Sequence, residues 1–153
     1  MAGTSYLIDT NVLLRWIKPD DRDYPVVVAA IEAALSRGSV LCYTSQNVGE
    51  FWNTCTRPLH RNGYGLSPQE ADRLARYFEE KLHLLPDSIA VHQEWRKLLV
   101  TYNVSGVQVH DARLAAAMRV HDVRQILTFN NRDFARYTDI EAVHPRSIAE
   151  KSR

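Results

Sequence analysis

The chain has 153 residues, 45% of them hydrophobic and 24% charged, enough for one domain with a substantial core. Nineteen basic residues against 18 acidic ones leave a net charge of +1, which neither demands nor excludes a polyanionic partner. No apolar run approaches the ~18 residues of a membrane span, and Leu7-Ile8 leads straight into polar residues instead of a signal-peptide core, so the expectation is a soluble cytoplasmic protein.

In chain order, residues 4–8 read as a short buried strand, followed by a polar turn at Asp9-Thr10-Asn11 and a helical turn or two over 12–17, stopped by Lys18-Pro19. Pro25 suits a helix start. Val27, Ile31, Ala34 and Leu35 make its apolar stripe, and Gly38 ends it. Residues 39–43 form a second strand. Thr44 or Ser45 then caps a helix running to about Arg57, stopped by Pro58.

A Gly- and Pro-containing loop spans 58–66. Ser67-Pro68-Gln69-Glu70 is a capping box with proline at the first position, opening a helix to about Lys81. Residues 82–85 form a short strand ended by Pro86. Asp87 is the expected cap of a long helix packed through Ala90, Val91, Trp95, Leu98 and Leu99. A helix opens at Asp111 with Leu114, Ala115 and Met118 inward, and residues 124–128 form a strand. A polar loop at 129–133, a helical turn over 134–137 and a last short strand at 140–143 complete the pattern.

Strands alternating with helices predict an α/β fold: a three-layer α/β/α sandwich with a short, mainly parallel sheet, forming one domain over 1–153. Sites in such folds gather beyond the carboxyl ends of the strands. Cys42, in a strand, and Cys55, on an apolar helix side, lack ligand spacing and are expected as buried free thiols.

Four separated acids, Asp9, Glu50, Asp111 and Asp133, fall at strand ends or on helices near the sheet edge. Each has a plain alternative alone: Asp9 and Asp111 as helix caps or first-turn acids, Glu50 as a solvated charge, Asp133 as a turn former. Four converging carboxylates, however, cannot all stay ionised without a cation, so together they point to Mg²⁺ or Mn²⁺ and phosphodiester chemistry. Glu50 shares a helix side with Gln46, Asn53 and Arg57. Thr10, Asn11, Thr128 and Asn130 are placed to support the acids by hydrogen bonds.

These residues carry a family resemblance. Leu7-Ile8-Asp9-Thr10-Asn11-Val12-Leu13-Leu14, Glu50-Phe51, Val104-Ser105-Gly106, His110-Asp111-Ala112-Arg113-Leu114-Ala115-Ala116 and Leu127-Thr128-Phe129-Asn130-Asn131-Arg132-Asp133-Phe134 resemble, in that order, the PIN-domain ribonucleases of the bacterial VapC toxin type. The resemblance runs over roughly residues 4 to 145. It implies metal-linked catalytic roles for Asp9, Glu50, Asp111 and Asp133, with Thr10, Asn11, Thr128 and Asn130 supporting. It also implies a Mg²⁺ or Mn²⁺ cofactor, an RNA substrate, a homodimer and a small VapB-like antitoxin partner.

Arg57 and Arg132 are the expected RNA contacts among Arg57, Arg61, Arg113, Arg132 and Arg136, while Tyr64 and Trp16 could stack on a base, Trp16 being expected first as a core or dimer-interface residue. His110, beside Asp111, is expected as a surface or packing residue. A DNA-directed nuclease and a non-enzymatic binding protein are the competing readings. A haloacid-dehalogenase-like phosphatase fits poorly, since Thr10 and Asn11 stand where it needs a second aspartate.

Overall fold

A computed structural model of the protein describes residues 3–151. Five strands, β1 (Ser5–Ile8), β2 (Val40–Tyr43), β3 (His83–Leu84), β4 (Gln125–Leu127) and β5 (Glu141–Val143), form one sheet in the order β3-β2-β1-β4-β5. Every pairing is parallel, so the expected mainly parallel sheet is wholly parallel over the described residues. Seven helices surround it: α1 (Thr10–Trp16), α2 (Tyr24–Ser36), α3 (Ser45–Thr56), α4 (Pro68–Glu79), α5 (Ile89–Thr101), α6 (Gln108–Val120) and α7 (Pro145–Lys151).

The period-2 alternation of the strands builds the three layers. Ile8, Leu41, Tyr43 and Leu127 point into one core with α1, α2, α3, α4 and α7. Leu7, Cys42 and Ile126 point into the other with α5 and α6. A parallel sheet covered on both faces buries nearly continuous apolar strands, as Leu7 and Ile8 illustrate. On the α6 side, Ala112, Ala115 and Ala116 are fully buried; their lack of bulk lets this helix lie close to the sheet.

The central strand β1 pairs with β2 on one side and β4 on the other, so the strand order reverses between β1 and β4. A crevice forms at the carboxyl ends of strands at such a reversal, because the chain leaves the two strands toward opposite layers. Asp9 follows β1 and Thr128 follows β4, and the Asp9 amide donates to the Leu127 carbonyl at 3.0 Å, joining the two strand exits.

Several boundaries differ from the sequence expectations, each for a local reason. The cap of α5 is Ser88, whose hydroxyl accepts from the Val91 amide at 3.2 Å; Asp87 instead pairs with Arg113 at 3.0 Å. Ala90 faces solvent, leaving Val91 and Leu98 as the buried stripe. Helix α6 starts at Gln108, so Asp111 lies within its first turn and does not open it. The segment after β4 folds as a 3-10 turn, Asn131–Phe134, where a polar loop and a later helical turn were expected. Helix α7 was not anticipated. It begins at Pro145 and packs on α2 through buried Ile148. Cys42 and Cys55 are buried and free, and desolvation raises each thiol to about 11.

Candidate metal and catalytic centre

Asp9 sits at the strand reversal with only 7% of its surface exposed. It is the cap of α1, its Oδ1 accepting from the Thr10 amide at 2.8 Å. Its Oδ2 accepts from the Thr128 hydroxyl at 2.8 Å and from Asn11 Nδ2 at 3.3 Å. Asp9 is thus the cap expected from the sequence, with one oxygen fixing the helix and the other facing the β4 exit. Thr128, fully buried, also accepts from the Asn130 amide at 3.0 Å, and Asn11 Oδ1 accepts from the Phe129 amide at 3.2 Å. Asn11 and Thr128 thus lace the two strand exits together.

Glu50 comes to the same place from α3. Its Oε2 accepts from the Thr10 hydroxyl at 3.0 Å, and its Oε1 accepts from Gln46 Nε2 at 2.8 Å. The Thr10 hydroxyl is itself held by Asn47 Nδ2 at 3.1 Å. Asn47 is fully buried and completes the capping box of α3, its Oδ1 accepting from the Thr44 amide at 2.9 Å. The sequence reading passed over Asn47, although Thr44 followed three residues later by an amide side chain is the signal of that box.

Asp111 and Asp133 complete the set. Desolvation raises Asp111 to about 7, with the charges of Asp133, Asp9 and Glu50 adding to the rise and Arg136 opposing it. Desolvation raises Asp9 to about 6; hydrogen bonds from Thr128 and Thr10 pull the other way, and the charges of Glu50 and Asp133 add to the rise. Asp9 and Asp111 thus each lie within the electrostatic reach of Glu50 and Asp133. Asp133 is exposed on the 3-10 turn, beside Phe129, Asn130, Asn131 and Arg132, which line a shallow concavity.

The donor set is all hard oxygen, which suits Mg²⁺ or Mn²⁺ better than soft metals. Asp9 is the decisive observation of fit: a carboxylate hydrogen-bonded in its charged form yet pushed up by burial and, to a smaller extent, by the charges of Glu50 and Asp133, which a cation would offset. Among the described residues, no group of three or more His, Cys, Asp or Glu side chains is gathered so as to hold a metal ion. Mg²⁺ keeps several of its own waters and needs fewer protein oxygens than that.

The arginines separate into distinct roles. Arg57 donates from Nη2 to the Asn62 carbonyl at 2.9 Å and so braces the 58–66 loop. Arg113 pairs with Asp87, and Arg136 donates to Gln108 Oε1. Arg132 is exposed beside Asp133, and its side chain has no hydrogen bond or ion pair among the described residues.

Arg15, which the sequence reading did not single out, donates to the Asn11 carbonyl at 2.8 Å and lies 4.5 Å from the Phe129 ring centroid. Trp16 is buried in the core with its ring edge-on to Tyr77, which removes it as a base-stacking surface. Tyr64 is half-buried under Lys18. The His110 side chain is exposed, as expected, but its backbone carbonyl accepts from Gln46 Nε2 at 2.8 Å.

The family model for the PIN domain matches residues 6–140, most of the chain. The protein belongs to the PIN-domain family. A search of curated proteins returns no match. Among solved structures, the fold is similar to a chain of VapBC2 from Rickettsia felis bound to a promoter DNA fragment, with a TM-score of 0.71 and 13% identity over 92% of this chain and 98% of that one. It is also similar to Mycobacterium tuberculosis VapC20, a Sarcin-Ricin loop cleaving toxin, with a TM-score of 0.64 and 14% identity over 89% and 98% of the two chains. A chain of DNA-bound VapBC from Salmonella typhimurium matches with a TM-score of 0.66 and 19% identity over 93% and 98%.

Proposed function

We infer that this protein is a divalent-metal-dependent endoribonuclease, a single PIN-like domain over residues 1–153 that acts as the toxin of a toxin-antitoxin pair in the cytoplasm. The observation that carries the reading is the buried Asp9 carboxylate at the strand reversal, facing Glu50, Asp111 and Asp133. Supporting it, one structural neighbour is a toxin that cleaves the Sarcin-Ricin loop, and others are VapBC complexes. By the same likeness, the partners are RNA, a VapB-like antitoxin and a second copy of the chain.

Asp9 and Asp111 would hold Mg²⁺ or Mn²⁺ most directly, with Glu50 and Asp133 completing the ring. The bound ion would supply an activated water and charge neutralisation at the scissile phosphate. The residues of the chain do the rest. Thr128 and the Thr10 amide keep the Asp9 carboxylate in a single orientation. Thr10 does the same for Glu50. Asn130 would support the acids through its backbone amide, which donates to the Thr128 hydroxyl at 3.0 Å, and Arg132, exposed beside Asp133, would meet the RNA backbone. Arg57, engaged with its own loop, contributes to RNA binding only by shaping that loop.

Cleavage of total RNA by the purified protein with Mn²⁺, absent with EDTA and in Asp9→Asn, tests the reading. Matching cleavage of single-stranded DNA would instead favour the DNA-nuclease alternative, and binding without cleavage would favour the non-enzymatic one.

A further inference from the structure

We propose that Gln46 is a positioning residue that sets the distance between Glu50 and Asp111 by tying α3 to α6; this rests on the metal-dependent function inferred above. Glu50 and Asp111 arrive from opposite sides of the sheet. Helix α3 packs in the core with α1, α2 and α4, through Phe51 and Cys55, whereas α6 packs in the other core with α5. Two layers that meet only through the sheet leave the spacing of their carboxylates to the accumulated tolerance of two packing interfaces.

Gln46 closes that gap directly. Its Nε2 donates to Glu50 Oε1 at 2.8 Å, one turn along the same helix, and to the His110 carbonyl at 2.8 Å, in the first turn of α6 and adjacent to Asp111. Both partners are acceptors, so only the NH₂ end of the amide can face them, and the orientation of the side chain follows from chemistry. That orientation leaves Gln46 Oε1 buried without a hydrogen-bond partner. A buried acceptor without a donor costs stability, so the arrangement favours the geometry of the acids over that of the fold.

The bond also selects a rotamer of Glu50. With Oε2 taken by Thr10 and Oε1 by Gln46, the carboxylate is fixed at both ends. The same amide ties that carboxylate to the backbone beside Asp111, in addition to the packing of each helix on the sheet. Supports of this kind around metal ligands are commonly worth 10–100-fold in affinity.

The test compares wild type, Gln46→Met, Gln46→Ala and the control Asn53→Ala, an exposed change on the same helix. Free Mn²⁺ is measured by electron paramagnetic resonance, RNA cleavage by kcat and KM, and melting in EDTA by circular dichroism. The expected result is an Mn²⁺ Kd raised about 10-fold and a kcat lowered about 10-fold in both Gln46 variants, on the scale of other such supports. KM for RNA and melting in EDTA should stay close to wild type, and Asn53→Ala should match wild type throughout. Wild-type Mn²⁺ affinity and kcat in Gln46→Met would overturn the positioning role alone, as would a loss that simply follows a lowered melting temperature. A wild-type protein that binds no Mn²⁺ would overturn the metal-dependent function and this role with it.

Discussion

The hydroxyl of Thr128 donates to Asp9 Oδ2 at 2.8 Å across 119 residues of sequence, joining the exits of β1 and β4 at the point where the strand order reverses. The bond favours the ionised form of Asp9 against the burial that disfavours it. Thr128→Val keeps the shape of the side chain and removes the donor. We expect the Asp9 pKa to rise and Mn²⁺ affinity to fall about 10-fold, the usual cost of losing a ligand's support. Titration calorimetry with Mn²⁺ checks this, and unchanged affinity would count against the role of Thr128.

The raised carboxylates make stability depend on pH in a defined direction. Asp9 lies near 3.8 when unfolded and about 6 when folded, so between those values the folded state holds a proton that the unfolded state has lost. Stability without metal therefore falls as pH rises through that window, with Asp111 extending the fall toward 7. For Asp9 the shift corresponds to about 3 kcal/mol. The half-exposed Asp111 adds less than its shift suggests, because solvent screens it. Asp9→Asn should consequently gain stability relative to wild type between pH 4 and pH 8 in EDTA, as measured by urea denaturation. A constant difference across that range would contradict the shift.

Asn47 separates packing from support of the site. Asn47→Ala removes the reciprocal half of the α3 capping box, while Thr44 keeps its bond from the residue-47 amide, and leaves the Thr44 amide and Thr10 hydroxyl short of a buried partner, at a cost of about 2–4 kcal/mol. Asn47→Asp keeps the acceptor for the box, at a helix N-terminus that favours a carboxylate, but loses the donor to Thr10 and adds a negative charge near Glu50. Melting curves should place Asn47→Asp well above Asn47→Ala. Equal melting temperatures would mean that the cap contributes little.

Arg132 and Arg57 should behave oppositely. Arg132 is exposed and unpaired among the described residues, so Arg132→Ala should leave melting unchanged, raise KM for RNA several-fold and lower the salt slope of binding by about 0.7 per lost phosphate contact. Arg57→Ala should lower the melting temperature, because the 58–66 loop loses its brace to Asn62. Fluorescence anisotropy over a salt series, beside melting curves, distinguishes the two. A salt slope that responds to Arg57 and not to Arg132 would reverse the assignment.

Much of this architecture was legible in the chain. The apolar runs before Asp9 and Thr128, the proline and capping signals of α2 and α4, and the alanine series of α6 are local, and local signals survive translation into structure. The positions of the acids followed from equally local signals: Asp9 follows β1, Glu50 and Asp111 lie on α3 and α6, and Asp133 lies in the turn after β4. The connections between distant residues were not. Nothing near Gln46 announces the carbonyl of His110, 64 residues away, and nothing near Arg57 shows that its guanidinium turns back to its own loop. Helix α7 escaped because its seven residues carry too few apolar side chains, chiefly Pro145 and Ile148, to make a periodicity. The cap of α5 was misplaced by one residue because Asp87 and Ser88 are both good caps, and Asp87 is drawn away by Arg113 in a different helix.

The most direct test of the central claim is a cleavage assay on total RNA with purified protein, comparing Mn²⁺, EDTA and Asp9→Asn. Discrete fragments with Mn²⁺ that disappear in both controls are the expected result. Fragments that persist in EDTA, or in Asp9→Asn with Mn²⁺, would contradict a metal-dependent nuclease centred on Asp9.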